Sequence, residues 1–400
     1  MAVELDLSRG CRLNGDLSAP EAALAGAELE EALGRGREGA VEIVLAHRHG
    51  SGDGFRRLAS PGRLELLGDS PRGLLFGAYA TLDELGMRWP WPGERAVDGR
   101  AARLDPEELT DAPALPGRCL VLGERALVER ADDWITWAAR NRLNRLFVHV
   151  STGSDPLGAA PDAVWRERRP EAVALARQRG MTIEYGGHLL PELLPRAQIR
   201  ALAEGQGPSE AVRRRIVQHV RAHPEADVLH LWGADRPPGA RGEDASNAAL
   251  RTANALAAVA EHARPGTEVP FLAYHDTEEV PRGVRPRGNV GLLFAPRERC
   301  YEHALTDPGC RRNRRYRELL LAHVDHFGAA DGRPAQVFEY WFDALLFSEG
   351  VPDLASTMAR DLAFYREAGV HTVQMLATGH RRAPSPHPNP PAFARLAWSA

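Results

Sequence analysis

The stretch Val337-Phe338-Glu339-Tyr340-Trp341-Phe342-Asp343 decides how this chain is read. Apolar and aromatic residues run through it without a turn former, as in a strand covered on both faces. Yet Glu339 sits inside the run, and Asp343 follows near its end. A buried carboxylate costs several kcal/mol unless something pairs with it. Two readings are open: Glu339 pairs with a buried Arg and holds the core, or it is a site carboxylate at the end of a strand.

Working outward, short apolar stretches alternate with amphipathic ones. Strands are expected near 119–122, 146–150, 181–185, 228–232, 269–274, 290–294, 337–341 and 372–376. Helices are expected near 131–143, 170–179, 210–223, 247–262, 314–326 and 354–367, whereas 278–288 holds too much Pro and Gly for one. This is the arithmetic of an α/β protein, a (β/α)8 TIM barrel, with the opening stretch as its seventh strand. An open doubly wound sheet is the runner-up, and no G-x-G-x-x-G follows the first strand to support it.

Ahead of the barrel, an Ala-rich helix from Pro20, strands near 41–46 and 63–67, and a helix opened by Ser70-Pro71 describe a small α+β domain over 1–112. A Pro- and acid-rich passage, 105–116, reads as the linker to the barrel over 113–400. The 400 residues suit such a pair, since single cores stop growing near roughly 250 to 300 residues.

The net charge of −4 excludes a strongly basic nucleic-acid binder; the run Arg311, Arg312, Arg314, Arg315 and Arg317 reads as the solvated start of a helix. No apolar run reaches the roughly 20 residues of a membrane span. Met1 to Asp6 shows no signal peptide, so the chain as written reads as cytoplasmic, with export following only if a leader was removed. Cys11, Cys119, Cys300 and Cys310 lack C-x-x-C spacing and read as free thiols, a disulfide between the last two being the lesser alternative.

In a barrel of this kind the chemistry sits at the C-terminal ends of the strands. Those positions are polar and aromatic here: His149 and Ser151; Glu184, Tyr185 and His188; Trp232 and Asp235; Tyr274, His275 and Asp276; Glu339, Tyr340 and Trp341; Gln374. Two carboxylates flanking a sugar, Asp235 and Glu339, are the usual requirement for glycosidic cleavage. Trp232, Tyr274, Tyr340 and Trp341 offer flat faces for sugar rings, and His188 and His275 offer hydrogen bonds. Glycines 186 and 187 are read as letting the backbone approach a ligand. A divalent ion held by His188, Asp235, His275 and Glu339, as in a sugar isomerase or lyase, ranks second. A glycan-binding protein without catalysis ranks third.

Several stretches resemble a known group. Ser70-Pro71-Arg72-Gly73-Leu74-Leu75-Phe76-Gly77-Ala78-Tyr79, Leu82-Asp83-Glu84-Leu85-Gly86-Met87-Arg88-Trp89 and Pro92-Gly93 are similar to the small domain that precedes the barrel in hexosaminidases and α-glucuronidases. Trp137-Ala138-Ala139-Arg140-Asn141-Arg142-Leu143-Asn144 resembles their first barrel helix, and Gly187-His188, Leu193-Leu194-Pro195 and Leu272-Ala273-Tyr274 continue the likeness in order. Tyr274, Pro286-Arg287-Gly288-Asn289-Val290 and Phe338-Glu339-Tyr340-Trp341 together look like glycoside hydrolase family 163, in patches from about Ser70 to Trp398. The resemblance implies a retaining endo-β-N-acetylglucosaminidase acting on complex N-glycans, with no metal or other cofactor. It departs from the family after Asp235, where Pro237, Pro238 and Gly239 stand in place of cysteines.

Overall fold

The computed structural model describes residues 5–36, 38–97, 103–104, 108–150, 162–235, 242–328, 335–347, 350–379 and 385–400. Ser151, Pro237, Pro238 and Gly239 lie outside the described residues.

The N-terminal layer is a five-stranded sheet in the order β1 (Cys11–Gly15), β2 (Val41–His47), β4 (Arg63–Gly68), β3 (Phe55–Ser60), β5 (Leu109–Asp111). The first three are parallel and the last two antiparallel. Helices α1 (Pro20–Leu33) and α2 (Pro71–Glu84) pack against it. At the start of α2 the Ser70 hydroxyl accepts from Gly73 N–H at 3.0 Å and Pro71 fills the first turn, a strong start signal. Strands β3 and β5 carry no such signal. Arg56 and Arg57 interrupt the apolar run of β3, and β5 lies inside the passage expected as linker.

The second layer is an eight-stranded parallel sheet: β6 (Gly117–Leu122), β7 (Arg145–His149), β8 (Thr182–Gly187), β9 (Val228–Leu231), β10 (Phe271–Ala273), β11 (Leu292–Phe294), β12 (Ala335–Asp343) and β13 (Thr372–Thr378). The order β9-β8-β7-β6-β13-β12-β11-β10 is a sheet curled into a TIM barrel. Its two edges meet low down, at a bridge between Val228 and Glu268. Higher up, β9 and β10 form no ladder among the described residues.

Around the sheet run α3 (Ala131–Arg140), α4 (Asp162–Gln178), α5 (Arg196–Ala203), α6 (Glu210–Ala222), α7 (Glu243–Ala263), α8 (Arg311–Phe327), α9 (Ala355–Glu367) and α10 (Asn389–Ser399). Helix α4 begins ahead of Pro170, the start expected from the sequence. The buried Trp165 supplies packing that carries the helix through the proline. After β10 comes a short turn, His275–Thr277.

The N-terminal layer is joined to the N-terminal ends of the barrel strands. Asp53 pairs with Arg72 at 2.6 Å and with the fully buried Arg118 at 2.7 Å, and accepts from Asn144 at 2.7 Å. This leaves the opposite, C-terminal mouth clear of the junction.

Strand β12 alternates as a barrel strand must. Gln336 reaches inward to Gln374 at 2.7 Å, and Phe338 faces Phe147 and Trp232 across the interior, ring centroids 6.1 Å apart in both cases. Glu339 and Trp341 therefore point outward, into the helical layer. Trp341 packs on Phe393 of α10 and is fully buried, so the expectation that it binds substrate is corrected: it is core.

Glu339 needs the same correction. It is fully buried, its carboxylate 3.2 Å from Arg299 Nε, and the Tyr365 hydroxyl of α9 donates to it. Arg299 also pairs with Asp361 at 2.6 Å, and Asp361 accepts from Leu305 N–H at 2.7 Å. Of the two readings of the opening stretch, this is the first: a carboxylate paired with a buried arginine. The ion-binding set that included Glu339 is not assembled either.

One guanidinium thus serves two buried carboxylates. Burial pushes Glu339 up from its ordinary value, Arg299 opposes this, and Asp361 pushes it further up. A carboxyl group raised in the folded state binds its proton more tightly there than when unfolded. Its contribution to stability is present below the unfolded value of 4.5 and is lost as pH rises through the raised one. Denaturation of the wild type should show stability falling as pH climbs above the ordinary Glu range; in Glu339→Gln that fall should flatten. Identical slopes would show that Glu339 carries no shifted proton.

Candidate active site at the barrel mouth

His188, Trp232, Asp235, Tyr274 and His275 converge at the C-terminal ends of β8, β9 and β10. Where β9 and β10 part, a cleft of about 490 Å³ opens, and all five line it. Its wall is apolar, with Leu190, Ile199, Ala248, Ala249 and Leu272. A mostly apolar cleft with a few convergent polar groups is the usual form of a small-molecule site.

The backbone explains the convergence. Gly186 and Gly187 have φ of +129° and +146°. A side chain on Gly186 would strike the His230 carbonyl of β9, and one on Gly187 the His149 ring at 2.8 Å. The glycines serve strand-to-strand approach rather than the approach of a ligand, and they release the chain so that His188 can turn over the mouth. There the His188 ring donates from Nδ1 to the Gly233 carbonyl at 2.7 Å. With Nδ1 so engaged, Nε2 faces Asp235 at 3.6 Å.

Asp235 lies near Tyr274, and burial and that carboxylate both raise the Tyr274 hydroxyl above its ordinary value, so the hydroxyl stays protonated. Asp235 thus has His188 and Tyr274 beside it while its side chain stays 54% exposed. His275 has φ of +47°, a strained conformation for a residue other than glycine, of the kind held at binding sites. Its ring lies 3.8 Å from that of Tyr274. Two buried ring nitrogens at the cleft, Trp232 Nε1 and His275 Nε2, have no partner among the described residues. Orphaned buried polar atoms in a cleft are a mark of a polar ligand. The Trp232 ring also packs on His149 and His188, at 5.6 and 5.2 Å. Burial pulls His149 down to about 3, so it is neutral near pH 7.

Deeper in the barrel, Glu184 is a structural hub. It pairs with Arg145 and His230, both at 2.7 Å, and accepts from Gln374 at 3.0 Å. Burial works against its charge, but Arg145 and His230 hold it down to about 2. Tyr185 points out of the barrel to Asp162, 2.6 Å away.

Tyr340 faces the mouth side, under the Arg297 guanidinium at 5.7 Å. Arg297 lies 3.5 Å from Asp343, whose carboxylate also accepts from Leu345 N–H at 2.8 Å. Burial pushes Asp343 up while Arg297 resists. Sequence reasoning misses Arg297 and Asp343 as mouth groups; the later position of Asp343 on the strand is the available signal. Glu278 and Glu279 are both tied to Arg315, at 2.9 and 3.2 Å.

No known family profile matches the sequence, and no curated protein is recognisably similar to it. Solved structures do share its fold. A β-N-acetylhexosaminidase from Bacteroides fragilis matches with a TM-score of 0.63 at 14% identity, covering 100% of this chain and 88% of that one. A glycoside hydrolase family 20 β-N-acetylglucosaminidase matches at 0.61 and 18% identity, over 100% and 90%. A glycoside hydrolase family 138 enzyme targeting pectin rhamnogalacturonan II matches at 0.60 and 13%; the match covers 98% of this chain and 50% of that enzyme's length. Likeness at such identities establishes architecture: the chain shares the fold of these structures, a TIM barrel behind an α+β domain.

Proposed function

We propose that the protein is a glycoside hydrolase that cleaves a β-linked N-acetylhexosamine within a glycan, with retention of configuration. The observation that carries this reading is the cleft at the C-terminal end of the barrel, where an exposed Asp235 stands with His188, Trp232, Tyr274 and His275. The hexosaminidase fold of the neighbours supports the substrate class. The apolar wall suits an acetamido methyl, and the exposed approach to Asp235 suits action inside a chain, as the resemblance to family 163 implies.

Glu339 is engaged elsewhere, so the nucleophile in this reading is the substrate's own 2-acetamido oxygen. Asp235 gives its proton to the glycosidic oxygen as the C1–O bond breaks and the acetamido oxygen bonds to C1. Water then attacks C1, the acetamido oxygen departs, and the water's proton returns to Asp235. Each step needs Asp235 within hydrogen-bond reach of the leaving or attacking oxygen.

The test compares an aryl β-N-acetylglucosaminide with the matching aryl β-glucoside. Hydrolysis of the first alone supports the acetamido route. Equal turnover of both overturns the route, and turnover of neither, across a wide glycan panel, overturns the enzyme reading. Trp232→Ala should raise KM about tenfold, equivalent to roughly 1.4 kcal/mol of lost stacking, with kcat little changed. An unchanged KM would remove Trp232 from the sugar site.

A further inference from the structure

The loop between β11 and α8 gathers three metal-binding side chains that the site above does not use. Cys300 Sγ lies 3.2 Å from His303 Nδ1, and Cys310 Sγ completes a group whose three ligand atoms are all within 4.8 Å of one another. We propose that Cys300, His303 and Cys310 bind a zinc ion, with the fourth position open to solvent.

The chemistry and the geometry agree. Zinc takes thiolate sulfur at about 2.3 Å and imidazole nitrogen at about 2.0 Å in a tetrahedron, which sets ligand atoms roughly 3.5 to 3.8 Å apart. Small side-chain adjustments reach those separations from the observed ones. Two thiolates balance the charge of the divalent ion. Soft sulfur with imidazole favours zinc over calcium or magnesium, which prefer oxygen.

The loop is also built to hold this arrangement. Asn313, fully buried in the first turn of α8, accepts from Cys300 N–H at 2.8 Å. Its amide donates to the carbonyls of Cys300, His303 and Ala304 at 2.9, 2.7 and 3.1 Å. Arg299 donates to the Cys300 carbonyl at 3.3 Å, and Arg314 reaches the Pro308 carbonyl at 2.8 Å. The ion pair of Glu339 with Arg299 therefore lies beneath the loop that presents the ligands. Cys310 stands at the N-cap of the 17-residue helix α8, so the helix start fixes where its side chain is presented. Both cysteines are partly exposed free thiols, open to an incoming ion. An ion here would clip the start of α8 to the strand end that carries Arg297.

The test uses reduced full-length protein equilibrated with zinc and then dialysed. Elemental analysis should find about one zinc per chain in the wild type and next to none in Cys300→Ser or Cys310→Ser. With cobalt as probe, the wild type should show thiolate-to-metal charge-transfer absorption that either variant loses. His303→Ala should weaken zinc by at least about tenfold, judged against a chelator of known affinity. If a variant does not fold, alkylation of the wild type decides: zinc should protect Cys300 and Cys310, whereas Cys11 and Cys119 are protected by burial with or without it. Reduced wild-type protein that keeps no zinc, or zinc that leaves alkylation of Cys300 and Cys310 unchanged, overturns the proposal.

Discussion

Arg299→Ala should destabilise the protein by about 3 to 5 kcal/mol, the usual cost of removing one partner from a buried ion pair. The substitution leaves Glu339 and Asp361 buried side by side, and the Tyr365 hydroxyl cannot neutralise either. It also releases the Cys300 carbonyl and the loop above it. Arg299→Lys should recover little, because one ammonium cannot reproduce the fork that sends Nε to Glu339 and Nη2 to Asp361. Chemical denaturation near neutral pH measures both variants. A loss below about 1 kcal/mol for Arg299→Ala would mean that the carboxylates find other partners and that the arginine is dispensable.

The second large effect falls on catalysis. Asp235→Asn keeps the size and much of the hydrogen bonding of the side chain but cannot transfer a proton, so kcat should fall about 10²- to 10⁴-fold. The thermal midpoint should barely move, since the residue is exposed and lies outside the core. Tyr274→Phe should cost less, because His188 still faces the carboxylate at 3.6 Å. Full activity in Asp235→Asn would remove the proton-transfer role outright.

Most of the barrel is legible in the sequence because its strands are short apolar runs between amphipathic helices, and that contrast of period survives in a single chain. The N-terminal sheet is less so. Phe55–Ser60 pairs antiparallel with Arg63–Gly68, but its charged positions mask the alternation. Leu109–Asp111 has only three residues and depends wholly on its partner strand.

The site divides in the same way. His188, Trp232, Asp235, Tyr274 and His275 are reachable from strand-end position alone, because a parallel barrel sends every strand end to one mouth. Glu339 is misplaced by one position of alternation. Strand direction tells which end of the barrel it is near, but the inward or outward face depends on register, which the doubly buried β12 does not display in its sequence. Gln336 meeting Gln374, and Phe338 meeting Phe147 and Trp232, settle which set faces in. The strained His275, and a Trp232 Nε1 with no partner among the described residues, are facts of three-dimensional packing with no sequence signature.

The most direct test of the central claim is a side-by-side turnover measurement of Asp235→Asn and Glu339→Gln on an aryl β-N-acetylglucosaminide, each first shown to be folded. The proposed site predicts that Asp235→Asn loses at least about a hundredfold in kcat while Glu339→Gln stays within a few-fold of the wild type. Retained activity in Asp235→Asn with loss in Glu339→Gln would contradict it.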